Sequence, residues 1–161
     1  MVQPCCRTEP PALSSGDAAI VRPSGNRDAM TREVLSAWAS LGVLLTGALI
    51  LVATLLPPGS GVPGCPFGLP CALWHMLLFA LLGVPVALRY ATSRAAARSP
   101  LRVLVMVVLV IWIFAAITEL AQNWIEGREP SLEDWLADMA GALIGLAVGS
   151  LLLRLALRRF R

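Results

Sequence analysis

Read for its apolar and polar positions, the chain divides into four long apolar runs separated by polar or Pro/Gly-rich breaks. The runs cover about residues 34–56, 71–88, 103–125 and 135–157. Crossing a hydrocarbon core takes ~20 helical residues, and each run is of that order. From Val34 to Leu88 no Asp, Glu, Lys or Arg occurs, which a soluble core does not produce. Pro57-Pro58-Gly59 stops the first run, Pro85 can kink the inner end of the second, and Gly127-Arg128-Glu129-Pro130 parts the third from the fourth. The pattern predicts an all-α polytopic membrane protein with four transmembrane helices in a bundle.

Composition agrees with that class: hydrophobic residues make up 57% of the 161 residues and charged residues 14%, against about a quarter charged in soluble domains. Residues 1–30 have no apolar period and read as a disordered cytoplasmic tail, with Met30 an alternative start. No signal peptide is recognisable, because a long polar stretch precedes the first apolar run and no small-residue cleavage site follows it. Trp38 reads as a headgroup-level anchor. Cys65 and Cys71 flank the end of a charge-free loop, where a disulfide and two small apolar residues are alternative readings.

Charge changes the picture by giving the spans a direction. All 13 basic residues are Arg. Arg7, Arg22, Arg27 and Arg32 precede span one; Arg89, Arg94, Arg98 and Arg102 join spans two and three; Arg154, Arg158, Arg159 and Arg161 end the chain. The first opposite loop has no Arg and the second only Arg128. By the positive-inside rule both termini and the middle loop are cytoplasmic. Dispersed in this way, the Arg residues are topology determinants and argue against nucleic-acid binding.

Candidate chemistry lies where the third run turns polar and the fourth begins. His75, Glu119, Gln122 and Asp138 fall at the outer ends of spans two, three and four, and so share one depth. Ionisable groups cost ~2.5–3.5 kcal/mol at a span's centre on insertion scales and less near the interface, so they face partners or water. Glu119, Gln122 and Glu126, with Asn123, recur on one side of span three; Asp134 and Asp138 continue into Gly141, Gly145 and Gly149 on span four. The glycines predict close helix packing rather than chemistry. Ser131-Leu132-Glu133-Asp134 also reads as a capping box, which would make Asp134 a cap. Arg128 reads either as a ligand for an anionic group or as a partner of Glu126, Glu129 or lipid phosphate.

Glu119, Gln122, Gly127-Arg128, Ser131, Asp134, Asp138, Gly141 and Gly145, with His75, Phe79 and Leu82-Gly83 upstream, resemble the VanZ-like family of small bacterial membrane proteins. The resemblance covers about residues 34–155. Two departures are Cys71-Ala72, where the family has Asp-Lys, and Phe79, where it has Tyr. What the resemblance implies is a four-span cell-envelope protein, in a family named for a member associated with resistance to the glycopeptide antibiotic teicoplanin. It brings no established reaction.

Three functions follow from the residues. The first is binding or remodelling of an outer-leaflet component, an anionic lipid or glycolipid, by Arg128 over a polar pocket of His75, Glu119, Gln122, Asp134 and Asp138. The second is a membrane enzyme using a His–carboxylate acid/base pair, or a metal on His75, Glu119 and Asp138. No metal-binding spacing is diagnostic, and no cofactor is expected. The third is a structural membrane protein in which the polar residues join helices. Partners beyond membrane lipid, and oligomeric state, are not legible in the residues.

Overall fold

The computed structural model of the chain describes residues 24–55, 69–126 and 128–159. It consists of α1 (Ser24–Leu55), α2 (Cys71–Thr92), the short α3 (Arg94–Arg98), α4 (Pro100–Gln122) and α5 (Leu132–Arg159), with no strand among the described residues. Four of the helices contain segments long and apolar enough to cross a membrane: Ala29–Leu55, Cys71–Thr92, Pro100–Gln122 and Leu132–Arg158.

Several boundaries differ from the apolar runs for local reasons. α1 already begins at Ser24, within the stretch assigned to the tail, because no proline interrupts the helix between that residue and the apolar run. Residues 1–23 lie outside the described residues. α2 continues past its apolar limit to Thr92 and stops at Ser93, whose side chain accepts from Ala96 N–H and so starts α3. Pro100 occupies the first turn of α4, where a missing N–H costs no helical bond. α4 ends at Gln122 rather than Ile125. After it, Asn123, Trp124 and Ile125 donate to Leu120, Ala121 and Gln122 carbonyls, three residues back, in tightened turns. Cys71 is disulfide-bonded; Cys65 lies outside the described residues.

The closest packing is between α2 and α5, followed by α1 on α2, while α4 touches α5 and α1 more lightly. The α2–α5 contact is made by glycine. A Cβ at Gly141 would stand 2.1 Å from the Met76 carbonyl oxygen, one at Gly145 2.1 Å from that of Ala80, and one at Gly149 2.9 Å from that of Val84. Such approach is open only to residues without a side chain. The numbers rise together along both helices, so α2 and α5 run parallel. Gly42 of α1 lies against Pro85 of α2, in antiparallel sense, and Tyr90 Oη–H donates to the Pro100 carbonyl at 2.9 Å, holding the start of α4 to the end of α2.

Two ends with different chemistry result. One gathers the starts of α1 and α4, the ends of α2 and α5, and α3, and with them Arg32, Arg89, Arg94, Arg98, Arg102, Arg154 and Arg158. The other gathers the starts of α2 and α5, the end of α4 and residues 123–126 and 128–131, and holds Arg128. Between them Ile50, Leu78, Phe79, Leu82, Ile111, Ala115, Met139 and Ala142 form the core, with Phe79 and Phe114 rings tilted at 5.9 Å. Leu44, Leu45, Val110, Ile113 and Leu151 face outward, as lipid-facing residues of spans do.

Candidate functional site

Because α2 and α5 are parallel, both present their N-termini at the Arg128 end, and the partial positive charge of those termini favours carboxylates there. His75 stands just inside the start of α2, and Asp138 faces it from α5 on the glycine side, where the backbones are closest. His75 Nδ1 and Asp138 Oδ1 are 3.2 Å apart, with His75 2% and Asp138 0% exposed. Glu119, also buried, comes from the last turn of α4 and sets Oε1 3.4 Å from the same nitrogen. One imidazole nitrogen thus lies between two carboxylates from two different helices. Ionised carboxylate oxygens only accept, so Nδ1 carries the proton and the lone pair of a neutral ring falls on Nε2.

The second oxygen of Glu119 does something no spacing rule anticipates. Oε2 accepts the Ser131 backbone N–H at 3.0 Å, while Ser131 Oγ accepts the Asp134 N–H at 3.3 Å. Ser131 is therefore the N-cap of α5, as its sequence context predicted. In a capping box the residue at the position of Asp134 would take the N-cap N–H. Here Glu119 takes it from across the loop, and the Asp134 carboxylate forms no hydrogen bond among the described residues. It turns instead toward the centre: one ligand atom each of His75, Glu119 and Asp134 lies within 4.8 Å of the other two. The three residues whose ligand atoms converge are thus His75, Glu119 and Asp134, while Asp138 bonds to Nδ1.

Gln122 is buried but sits apart from this centre, donating from Nε2 to the Thr54 carbonyl of α1 at 3.4 Å. Asn123 and Glu126 are exposed, since α4 ends before the helical period reaches them. Arg128 is half-buried, and its charge acts on Glu119; it forms no ion pair with Glu126 or Glu129 among the described residues. Gly141, Gly145 and Gly149 are buried packing residues, as expected. Sequence reading passed over Thr54; it and Thr118 are both buried, and their hydroxyls donate back to Ile50 and Ala115 carbonyls at 2.7 and 2.8 Å. Thr54 could have been noticed as a polar residue just before the Pro57-Pro58 break. Two buried oxygens, Glu119 Oε1 and Asp138 Oδ2, receive no hydrogen bond among the described residues.

Fold and centre together define a class: a helical protein with four membrane-spanning segments and a His–carboxylate cluster buried at one end of them. Within that class, the VanZ/LLP1 family pattern matches residues 35–154, and the chain belongs to the VanZ-like family. Comparison with curated proteins and with solved structures gives no match.

Proposed function

We propose that the chain is a bacterial inner-membrane protein whose His–carboxylate centre faces the outer leaflet and binds, for remodelling, an anionic lipid or glycolipid of the cell envelope. The observation that carries this reading is Arg128. It is half-buried on the loop leaving the helix of Glu119, lacks an ion-pair partner among the described residues, and stands at the end opposite the other described arginines. A guanidinium so placed matches phosphate and carboxylate in geometry and charge. Exposed Leu120, Trp124, Leu132 and Leu136 surround that end and suit contact with the lipid that carries such a headgroup.

A second reading, a membrane enzyme, is favoured by the imidazole held between two carboxylates at 3.2 and 3.4 Å, an arrangement suited to moving a proton. One experiment separates them. Lipids that co-purify with the chain are identified by mass spectrometry, and the purified protein is then incubated with that fraction. The binding reading expects an anionic lipid that Arg128→Ala loses, returned chemically unchanged. Products that vanish in His75→Gln establish the enzyme instead. A lipid spectrum unaffected by Arg128→Ala overturns the headgroup role. In this reading the teicoplanin resistance implied by the family rests on the same lipid, so Arg128→Ala also removes any rise in tolerance that expression of the chain confers.

A further inference from the structure

The buried centre carries more negative charge than the protein balances. Glu119, Asp134 and Asp138 meet one guanidinium, Arg128, and one imidazole, His75, and every one of these carboxylates acts electrostatically on His75. Carboxylates removed from water need hydrogen bonds or cations. Yet Glu119 Oε1 and Asp138 Oδ2, on residues 4% and 0% exposed, receive no hydrogen bond among the described residues. The Asp134 carboxylate is spared from capping because Glu119 holds the Ser131 N–H. Three ligand atoms, one imidazole nitrogen and two carboxylate oxygens, converge from α2, α4 and α5 within 4.8 Å.

We infer that His75, Glu119 and Asp134 bind one divalent transition-metal ion, with Asp138 positioning the histidine. Ligand atoms around such an ion stand about 3–3.5 Å apart at metal–ligand distances near ~2.1 Å. Side-chain movement closes a spread of at most 4.8 Å, and Asp134, half-buried in the first turn of α5, is the least enclosed of the three. In the bound form Nδ1–H stays on Asp138 and Nε2 supplies its lone pair, the orientation that a second carboxylate gives to metal-binding histidines, and Glu119 Oε1, 3.4 Å from Nδ1 in the structure, shifts to the Nε2 side. Two positive charges from the ion and one from Arg128 neutralise the three carboxylates. One nitrogen with two oxygens suits Mn²⁺ or Zn²⁺. The ion lies in the same site as the proposed headgroup contact and gives an anionic ligand a second point of attachment beside Arg128, so the inference rests on that reading only for the ligand's nature.

The test uses the full chain, purified in detergent and stripped with chelator, and titrated with Mn²⁺ under electron paramagnetic resonance. One Mn²⁺ per chain is expected, displaced by Zn²⁺. Asp134→Asn and Glu119→Gln, the latter keeping an acceptor for Ser131 N–H, each weaken binding by at least about tenfold, and Asp138→Asn by about 10–100-fold. Near-ultraviolet circular dichroism confirms that each variant is folded. A folded wild type that binds neither ion, or Asp134→Asn and Glu119→Gln that bind like wild type, overturns the site. Lipids are identified on the same samples: metal binding that depends on Asp134, together with a lipid spectrum insensitive to Arg128→Ala, leaves the metal site standing and removes the headgroup reading.

Discussion

Asp138 and Asp134 are one helical turn apart on α5, and the structure gives them different work. Asp138 is enclosed in the α2–α5 contact and bonded to His75; Asp134 stands nearer the helix start, half-exposed and without a hydrogen bond to its carboxylate among the described residues. This difference leads to a prediction at the residue scale. Asp138→Ala leaves His75 Nδ1–H beside a void with only Glu119 Oε1, 3.4 Å away, to accept from it, and lowers stability by about 1–3 kcal/mol, the cost of a buried polar group deprived of its better partner. Asp138→Asn loses less, since the amide oxygen still accepts from Nδ1–H. Thermal unfolding in detergent checks the order; an Asn variant no more stable than Ala shows that charge, rather than the hydrogen bond, holds this pair.

At the scale of elements, the α2–α5 contact sets the distance between His75 and Asp138. It depends on bare backbone at Gly141 and Gly145, where an added Cβ would fall 2.1 Å from a carbonyl oxygen of α2. Neither carbonyl can move aside without breaking its own helix. Gly145→Ala is therefore expected to destabilise by about 1–3 kcal/mol, as overpacking does, and to separate His75 from Asp138. Gly47 of α1 is the control, with nothing within 4 Å of an added Cβ. Gly47→Ala should be neutral or stabilising by up to about 1 kcal/mol through helix propensity. Paired melting curves of the two variants test this, and equal effects would show that the close contact is not what limits stability.

At the scale of the whole molecule, the helices are held about one parallel pair rather than by a core shared evenly among four. α4 joins through its ends: Tyr90 to Pro100 at one, Glu119 to Ser131 and Gln122 to Thr54 at the other. The arginine-rich end and the end with the centre are opposite, so one orientation decides which compartment the centre meets. The positive-inside rule predicts that the centre faces outward. Ser99→Cys and Glu129→Cys, at exposed positions on opposite ends, report it: a membrane-impermeant maleimide reacts in intact cells with Glu129→Cys above the parent's background and not with Ser99→Cys. The reverse pattern rejects the outward-facing site.

The amino-acid sequence alone determined the class of the protein, its four apolar segments, the asymmetry of its arginines and the shared depth of His75, Glu119 and Asp138. Those properties are local or additive: apolar length makes a span, charge between spans makes a direction, and the order of spans makes a depth. Only the tertiary structure decided the partnerships. That Asp138 takes Nδ1, that Glu119 caps α5 and so releases Asp134, and that Gln122 turns to Thr54 depend on contacts between residues 63, 12 and 68 positions apart. Periodicity shows which residues share a helix face but is silent on what that face meets. Here the answer came from glycines that bring two parallel backbones together and leave the carboxylates of α5 one histidine to share.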